Sequence, residues 1–404
     1  MHILLIHQAF AAINEPGGTR HHEMARVMVK HGHKVTIITS PVSYLTGQNQ
    51  RGKSSWVTRE EPEPGITILR AYTYPALHRS FFHRILSFFS FMFSSFFIGL
   101  GVKSVTVIWG TSPPIFQGWT AWLLSRLKGV PFLFEVRDLW PAFAVAVGVL
   151  KNKFLIRLSE WLERFLYRHA DEMVVNSPGF IEHIQKRGAK KITLVENGVD
   201  VSMFDPNETG KDFRQSNHLD EQFIVLYAGA HGMSNDLNVI LDAAEKLHED
   251  KGTTFLFVGD GKEKANLMRT AEEKDLTNVI FMPSVPKNEM NKVLAAADAC
   301  VAILKPIEMY KTTYPNKVFD YMAAGKPVLL LIDGVIRQVV EKADCGVFIQ
   351  PGDSNELAFQ IKQLENDMEG TRKMGLRGRE FVRQHFDREQ LACKMETILQ
   401  ELKR

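Results

Sequence analysis

The sequence contains few cysteines and lacks the features of a secreted protein. Its 404 residues include three cysteines, and Cys300, Cys345 and Cys393 are widely spaced without a C-x-x-C pair. A disulfide framework is therefore excluded, and we expect buried thiols in a reducing compartment. The first residues, "MHILLIHQAF", have neither the basic region nor the cleavage site of a secretory leader, so we expect a cytoplasmic protein.

The sequence also lacks a dinucleotide-binding fingerprint and a pattern of metal ligands. No G-x-G-x-x-G fingerprint follows the first predicted strand, which argues against a Rossmann oxidoreductase, and the sequence implies no cofactor. The histidines at His21, His22, His31 and His33 are expected on a helix surface and in a turn, so the sequence predicts no metal site.

Length and charge narrow the class of protein. A chain with 45% hydrophobic and 24% charged residues can bury two full cores. Residues 1–204 carry 23 Lys and Arg against 14 Asp and Glu, whereas residues 205–404 carry 26 against 32. The basic first half, with a net charge of +9, predicts an anionic partner such as a phosphate ligand or a lipid surface, and no feature indicates nucleic acid.

Short apolar runs alternate with helical patterns along both halves of the chain. The first half has the runs "HILLIHQ", "KVTIITS", "ITILRAY", "SVTVIWG", "PFLFEVR", "EMVVNS" and "ITLVEN"; the second has "FIVLYAG", "TFLFVGDG", "VIFMPSV", "ACVAIL", "PVLLLID" and "GVFIQ". This alternation predicts two doubly wound α/β domains with parallel sheets. We expect domains at residues 1–204 and 222–386, a linker at 205–221 and a C-terminal helix at 387–404.

Polar loops follow several of these strands. Gly17 and Gly18 precede a helix, and the acid-base-acid group Glu135, Arg137 and Asp138 ends the strand "PFLFEVR". Because ligands bind beyond the carboxyl ends of parallel strands, these residues are site candidates, with a flexible connection and a salt-bridged loop as the structural alternatives. Asn197, Gly198 and Asp200 are assigned to a plain turn.

The second half has three such loops. "YAGAHGMSND" contains Gly229 and Gly232 and leads to a helix expected to begin at Ser234 or Asn235, and "VGDG" ends the next strand. The third, "TTYPNKVFDYMAAGKPV", has a lysine and an aspartate three residues apart. Convergent polar loops on one sheet edge are what a nucleotide pocket requires.

The order of these motifs resembles that in the GT-B glycosyltransferases of family 4 over nearly the whole chain. The motifs are "PGGTRHHEMARVMVKHGHKVTIIT", "NGVD", "YAG", "VGDG", "ADACVAIL" and "PNKVFDYMAAGKPVL". "EVRDLWP" and "TYPNKVFDYMAAGKP" are similar to the bacterial branch that transfers N-acetyl amino sugars such as N-acetylfucosamine. The resemblance implies a GT-B fold, two Rossmann-like domains with an interdomain cleft.

The resemblance also implies roles for particular residues. Lys317 would meet the donor diphosphate and Asp320 the ribose hydroxyls, while Arg137 and Asp138 would act with Lys317 in catalysis by orienting the acceptor or sugar. The implied donor-binding set is Gly229, His231, Gly232, Asn235, Asp260, Val285, Thr312, Tyr314, Asn316, Lys317 and Asp320. The implied acceptor-binding set is Gly17, Gly18, Thr19, Arg20 and Glu135.

The chain departs from the family pattern in three places. Thr312 stands where the first acid of the family's paired acids is expected, with Glu308 or Tyr310 as candidate replacements. Ala230 and Asn235 stand where an arginine and a lysine are common, and Arg137-Asp138 replaces a His-Asp pair. Lys317, the Gly229–Gly232 backbone and His231 are therefore expected to neutralise the diphosphate.

The activity implied is transfer, with retention, of an N-acetyl amino sugar from a UDP-sugar to a polyprenyl-diphosphate-linked sugar in O-antigen or capsule synthesis. No metal and no covalent nucleophile are expected. A UDP-sugar 2-epimerase of the same fold and a non-catalytic nucleotide-sugar binder are the alternatives, and incubation with a UDP-sugar alone separates them from a transferase.

A phenylalanine-rich segment, "HRSFFHRILSFFSFMFSSFFIGLGVK", stands out in the first half. It is nearly long enough to span a bilayer, but a spanning helix would separate residues 1–80 from the strand "SVTVIWG" of the same sheet. Flanking cations and a second basic amphipathic helix, "KNKFLIRLSEWLERFLYRHA", favour docking of the first domain on an anionic membrane surface over a plain core helix. We therefore expect a peripheral protein on the inner face of the plasma membrane.

Overall fold

A computed structural model describes residues 1–43, 47, 49, 55–75, 79–219, 221–249 and 252–403 of the chain, without the side chain of Phe81. The chain forms two compact units. Unit 1 comprises Met1–Ala11, Thr19–Glu196 and Glu389–Arg404, and unit 2 comprises Ala12–Gly18 and Asn197–Arg388.

Unit 1 is built on an eight-stranded sheet. Its strands are β1 (His2–Ile6), β2 (Lys34–Thr39), β3 (Val57–Glu63), β4 (Ile66–Ala71), β5 (Val107–Thr111), β6 (Phe132–Val136), β7 (Glu172–Val175) and β8 (Ile192–Leu194). The strand order is β3-β4-β2-β1-β5-β6-β7-β8, and every neighbouring pair is parallel except β3 with β4. All seven strands predicted for this half are confirmed.

The eighth strand, β3, is the one that the sequence pattern does not predict. Its residues "VTREEPE" are mostly exposed and carry no apolar alternation, so neither periodicity nor burial marks them as a strand. The antiparallel pairing with β4 at the edge of the sheet decides its conformation.

Helices pack on this sheet. They are α1 (Arg20–Lys30), α2 (Phe81–Gly101), α3 (Phe116–Lys128), α4 (Ala142–Ala146), α5 (Lys153–His169) and α6 (Ile181–Lys186). The chain between β1 and β5 contains all of α2, and β1 pairs directly with β5, so the strands before and after this helix belong to one sheet.

Unit 2 has a six-stranded, all-parallel sheet in the order β11-β10-β9-β12-β13-β14. The strands are β9 (Phe223–Ala228), β10 (Thr253–Val258), β11 (Val279–Met282), β12 (Ala299–Ile303), β13 (Val328–Leu331) and β14 (Gly346–Phe348). All six predicted strands are confirmed. Alternate residues of β9 enter two separate apolar clusters, so both faces of this sheet are covered.

The helices of unit 2 are α7 (Lys211–Ser216), α8 (Asn238–Lys246), α9 (Lys264–Glu273), α10 (Met290–Ala296), α11 (Asn316–Ala323), α12 (Val335–Ala343), α13 (Ser354–Asn366) and α14 (Met368–His385). Of these, α7 precedes β9, one helix follows each of the strands β9 to β13, and two follow β14. The helix predicted to begin at Ser234 or Asn235 begins instead at Asn238. Ser234 accepts a hydrogen bond from the Tyr310 hydroxyl at 2.5 Å and Asn235 donates to the carbonyl of Ala230, so both side chains hold the loop rather than cap the helix.

The division into units differs from the expected boundaries. The segment expected to be a linker, residues 205–221, contains α7, and Arg214 binds Asp298 at 2.6 Å and the carbonyl of Ala296, which attaches the segment to unit 2. The last helix, α15 (Arg388–Lys403), belongs from Glu389 onward to unit 1, where its apolar side is buried. Cys300 and Cys345 are buried as expected, whereas Cys393 on α15 is half-buried.

Candidate active site

The glycine loops after β9 and β10 meet at the carboxyl edge of the unit 2 sheet. Gly259 has φ of +157°, and a Cβ atom there would lie 1.9 Å from the carbonyl oxygen of Gly229. Only glycine allows this main-chain contact. The two loops therefore form one surface of backbone groups, as the sequence predicts for convergent strand ends.

Lys317, in the first turn of α11, reaches this surface. Its Nζ lies 3.8 Å from the centre of the Tyr227 ring and is shielded from solvent, and it has no hydrogen-bond partner among the described residues. A Cβ atom on Gly229 would lie 2.9 Å from the same Nζ. Burial lowers the pKa of Lys317 to about 7 because no carboxylate compensates the ammonium group.

His231 lies beneath the same loops and is fully buried. Both of its ring nitrogens lack a hydrogen-bond partner in the described part of the chain. Burial, with smaller effects from Lys264 and Lys317, lowers the pKa of His231 to about 4. The imidazole is therefore neutral at pH 7 and can donate a hydrogen bond, but the positive charge expected from it is absent.

Asp320 lies one turn further along α11. It forms an ion pair with Lys287 of the loop after β11, with 2.5 Å between Nζ and Oδ1, and its side chain is 20% exposed. Lys287 also lies over the Phe204 ring. The acid is thus held in place by a lysine that the sequence pattern did not single out.

Thr312 and its two candidate replacements have other partners. The Thr312 hydroxyl donates to the carbonyl of Met309 at 2.6 Å, and the Tyr310 hydroxyl donates to Ser234. Glu308 is 83% exposed and pairs with Lys311 at 2.9 Å. These contacts hold the Tyr310 hydroxyl at Ser234 and pair the exposed Glu308 with Lys311, and replacement of the missing acid by Glu308 or Tyr310 stays a prediction.

The remaining donor-site candidates lie on the same edge of unit 2. Asp260 accepts from the N–H of Gly261, the carbonyl of Tyr314 accepts from Asn197 at 2.6 Å, and Asn316 begins α11 with its Oδ1 buried and without a hydrogen-bond partner in the described chain. Gly232 and Asn235 belong to the loop after β9, and Val285 packs on the core after β11.

The loop carrying Gly17 and Gly18 belongs to unit 2, not to the first domain as the sequence suggested. Residues Ala12–Gly18 cluster with that unit, and a Cβ atom on Gly18 would lie 3.8 Å from Nδ2 of Asn316. Gly18 therefore lies near the side chain of Asn316, the first residue of α11.

Glu135 and Arg20, expected to contact an acceptor, form a buried network in unit 1. Arg20 donates to Glu135 at 2.9 Å and to the carbonyls of Val195 and Glu196, and both side chains are fully shielded. His21 and Trp109 also donate to Glu135, at 2.6 and 3.2 Å. Since these groups satisfy one another, the pair holds α1 to β6 and is not available to a ligand.

Electrostatics support this assignment. Burial alone would raise the pKa of Glu135, but the hydrogen bond from His21 and the charge of Arg20 hold it well below its ordinary value. Burial lowers the pKa of His21 to about 4, so a neutral imidazole donates to a carboxylate. His21 and His22 are buried, contrary to the expected helix-surface position, and the Thr19 hydroxyl donates to Glu23.

Arg137 and Asp138 follow β6 and face different partners. Arg137 donates to Thr111 at 3.1 Å and to His7 Nε2 at 2.7 Å. Burial lowers the pKa of His7 well below its ordinary value, so the imidazole accepts this bond in its neutral form. Asp138 has a buried Oδ1 without a hydrogen-bond partner among the described residues, and burial, opposed by Arg137, raises its pKa to about 7.

Sequence reasoning missed three residues of these sites. His7 follows the first strand directly, so the strand-end rule that selected Arg137 could also have selected it. Trp109 lies inside β5, and Lys287 lies in a charged loop of ordinary composition; only tertiary packing brings these two to Glu135 and Asp320.

Comparisons with known proteins agree with the fold and with the division into two halves. Residues 17–198 match the family model described as glycosyl transferase 4-like domain, and residues 208–381 match glycosyl transferases group 1. Over 354 residues the chain is 25% identical to a putative colanic acid biosynthesis glycosyl transferase, WcaI, of Escherichia coli K12, covering 84% of this chain and 86% of that protein.

Solved structures show the same fold. Sucrose-phosphate synthase from Thermosynechococcus elongatus superimposes with a TM-score of 0.80 at 19% identity, over 99% of this chain and 98% of that one. The Anabaena protein HepE, in complex with UDP and glucose, superimposes with a TM-score of 0.74 at 16% identity, over 99% and 100% of the two chains. The two Rossmann-like units thus have the GT-B fold.

Proposed function

We propose that this chain, a GT-B glycosyltransferase with a 4-like domain and a group 1 domain, transfers an amino sugar from a UDP-sugar in surface polysaccharide synthesis. The acceptor proposed is a sugar on a polyprenyl diphosphate at the cytoplasmic face of the membrane. The relative WcaI supports the choice of pathway, because its name places it in colanic acid biosynthesis.

The proposal rests on the surroundings of the Lys317 amine. A shielded amine without a hydrogen-bond partner in the described structure, at the N-terminal turn of α11, is unfavourable unless an anion binds there. The helix N-terminus and the N–H groups of the neighbouring glycine loop favour the same kind of ligand. A diphosphate satisfies the lysine, the helix end and the loop together.

Asp320 and the Gly17-Gly18 loop extend this assignment. A carboxylate one turn along α11 from the phosphate site is placed to accept hydrogen bonds from ribose hydroxyls, and Lys287 fixes its orientation. Gly18, near the side chain of Asn316, is proposed to bring a backbone N–H group to the diphosphate. UDP is the nucleotide proposed, and HepE, of the same fold, has been solved with UDP.

The donor sugar proposed is N-acetylfucosamine or a close 6-deoxy relative. Thr312 provides no carboxylate to accept sugar hydroxyls, its hydroxyl is bound to Met309, and it contributes a methyl group. A donor with a methyl group and an acetamido group suits such surroundings better than a fully hydroxylated hexose.

The chemical step proposed retains the anomeric configuration. Donor cleavage places negative charge on the leaving diphosphate, which protonated Lys317 and the α11 N-terminus stabilise. Asp138, whose carboxyl group has an unbonded oxygen within the described structure, orients the acceptor or sugar, and Arg137 orders the loop through Thr111 and His7. No residue is assigned as a covalent nucleophile.

Helix α2 supports membrane docking of unit 1. Its serines face the protein, where Ser87, Ser94 and Ser95 are fully buried and Ser94 donates to the carbonyl of Tyr72. Two of its phenylalanines, Phe88 and Phe91, are buried, whereas Phe82, Phe89, Phe93 and Phe97 are 65, 53, 61 and 48% exposed. Exposed large aromatic side chains in this number mark an interaction surface.

A second helix continues this surface. α5 exposes Phe154, Leu158 and Trp161 together with Arg157, Arg164 and Arg168, and Trp161 contacts Trp119 of α3, which packs between α2 and α5. Apolar groups ringed by cations suit an anionic lipid interface. By length and hydropathy Phe82–Gly101 could also cross a membrane, a test that core helices of soluble proteins pass as well.

The nucleotide site is tested by substitution. Lys317→Ala and Asp320→Asn should each weaken UDP binding by about 1.5–3 kcal/mol, the range for charge-assisted hydrogen bonds, as measured by calorimetry. Lys292→Ala, on the exposed side of α10, is the matched control. Unchanged UDP affinity in both folded variants would remove the basis for the assignment.

The sugar is tested by a thermal-shift screen of UDP-, GDP- and dTDP-sugars, followed by turnover with a polyprenyl-diphosphate-linked acceptor. A ligand at a hundred times its dissociation constant adds about 2.7 kcal/mol to the free energy of unfolding. The 6-deoxy donor should be the best substrate, with UDP-N-acetylglucosamine slower but active. Faster turnover of the 6-hydroxy donors would refute the sugar assignment, and conversion of a UDP-sugar without acceptor would refute transfer.

A further inference from the structure

Four side chains of unit 1, from the turn after α1 and from α15, lie close together. Nδ1 of His31 lies 2.5 Å from Oε2 of Glu396, and Nε2 of His33 lies 2.8 Å from Oε1 of the same carboxylate. One ligand atom from each of His31, Cys393 and Glu396 falls within 4.8 Å of the others. Two imidazoles, a carboxylate and a thiol thus share one small volume.

Local structure brings them together. α1 ends at Lys30, and Gly32, with φ of +82°, makes the tight turn that carries the two histidines before β2 begins. Cys393 and Glu396 are three residues apart on α15 and therefore lie on one face of that helix. The two segments are more than 350 residues apart in sequence.

Each oxygen of Glu396 meets one imidazole, and the Cys393 thiol lies within 4.8 Å of the His31 and Glu396 ligand atoms as well. One protonated histidine would neutralise Glu396, but two imidazoles contact the carboxylate and the thiol lies on the same side. Imidazole nitrogen, thiolate sulfur and carboxylate oxygen are the ligands that Zn²⁺ takes in tetrahedral sites. His33 and Glu396 are only 10 and 12% exposed, so part of the cluster is shielded from water.

We propose that His31 Nδ1, Cys393 Sγ and the Glu396 carboxylate bind a Zn²⁺ ion, and that His33 supports Glu396 through its hydrogen bond. Binding deprotonates the Cys393 thiol and releases that proton to solvent. The ion links the turn after α1 to α15, so its effect is to fasten the last helix to unit 1. The site is independent of the nucleotide site in unit 2.

The test uses the full-length chain, stripped with a chelator and titrated with Co²⁺ and then Zn²⁺. One equivalent of Co²⁺ should produce the thiolate-to-cobalt charge-transfer band in the near ultraviolet, and Zn²⁺ should abolish it and raise the unfolding temperature. Cys300 and Cys345 are buried, and burial raises their pKa to about 13 and 12, so they do not supply the thiolate.

Variants assign the ligands. Cys393→Ser should lose the band. His33→Gln should keep the band but weaken Co²⁺ binding by about 10–100-fold, and Glu396→Gln, which removes a ligand, should weaken it further. Glu401→Gln, an exposed acid on the same helix, should bind as the unsubstituted chain does. Circular dichroism of each metal-free variant establishes that it is folded.

Three results would overturn the site: no band and no stabilisation in the unsubstituted chain, a band that persists in folded Cys393→Ser, or stability that depends on pH but not on Zn²⁺. The last result would show that His–Glu ion pairs, without a metal ion, hold the turn after α1 to α15. None of these readouts depends on sugar transfer, so a failure of the metal site can be distinguished from a failure of the proposed function.

Discussion

At the scale of single residues, the role proposed for Lys317 predicts that nucleotide binding is coupled to protonation. Its pKa is lowered to about 7 by burial, so near pH 8 most molecules carry a neutral amine. A bound diphosphate favours the ammonium form and raises the pKa. We therefore predict that UDP binding at about pH 8 takes up close to one proton and that affinity falls as the pH rises above 7.

Calorimetry in buffers of different ionisation enthalpy measures this uptake. Lys317→Met keeps the apolar stem over Tyr227 but removes the titrating group, so it should bind more weakly and take up no proton. An equal proton uptake by the unsubstituted chain and the methionine variant would assign the proton to another group.

Asp138 is the second titrating residue with a predicted effect. Burial raises its pKa to about 7, so its carboxyl group is neutral in acid and ionised in base. If the carboxylate orients the acceptor hydroxyl, kcat rises as the pH increases through 7. We predict that Asp138→Asn lowers kcat about 10²-fold and removes this limb of the profile.

UDP affinity separates orientation from general damage to the enzyme. It should be unchanged in Asp138→Asn, and Asp212→Asn on the exposed side of α7 should leave the pH profile intact. A retained limb near pH 7 would contradict the role given to Asp138.

The raised pKa of Asp138 has a further consequence for folding. Stability contributed by protonated Asp138 is present below its unfolded pKa and lost as the pH rises through 7, so the asparagine variant should be less pH-sensitive.

At the scale of elements, α2 has one packed face and one exposed aromatic face. Ser87, Ser94 and Ser95 are buried together with Phe88 and Phe91, whereas Phe82, Phe89, Phe93 and Phe97 are exposed. We predict that the double substitution of Phe89 and Phe93 by serine lowers the vesicle partition coefficient by at least about a hundredfold, since each buried aromatic side chain contributes about 1.5–3 kcal/mol. Co-sedimentation measures the change.

Phe359 provides the matched control. It is 55% exposed on α13 of unit 2, so Phe359→Ser removes an exposed aromatic side chain without touching α2. Equal loss of vesicle binding in this control, or full binding by the double variant, would exclude α2 as the docking helix.

At the scale of the whole molecule, charge is divided between the halves of the chain. Residues 1–204 have nine more basic than acidic residues, and residues 205–404 have six more acidic than basic ones. Because surface charges are screened within about 10 Å at 0.1 M salt, the electrostatic part of membrane binding should weaken as salt increases. We predict binding to anionic vesicles that falls steeply between low and high salt.

Vesicles of zwitterionic lipid distinguish the two contributions. They retain the apolar interior but lack the surface charge, so they should bind the chain weakly at every salt concentration. Binding of equal strength to both vesicle types would remove the basic residues from the docking mechanism.

The sequence by itself determined the thirteen parallel strands and the strand-end loops. Period and polarity are local properties, and short apolar runs such as "FIVLYAG", which are rich in β-branched and aromatic residues and end at a glycine, favour buried strands of a parallel sheet. The spacing of Lys317 and Asp320 was also evident in the local sequence, whereas their ligand roles were implied by the family resemblance; the structure has them one turn apart on α11.

Tertiary structure alone decided what those polar residues bind. Arg20 and Glu135 looked like ligand contacts, but folding brings residues 115 positions apart to 2.9 Å, where they neutralise each other. Lys287 reaches Asp320 in the same way, and His31 reaches Glu396 across almost the whole chain. The strength of a charge depends on its burial and on its partners in space. Those partners come from distant parts of the chain, so no local pattern specifies them.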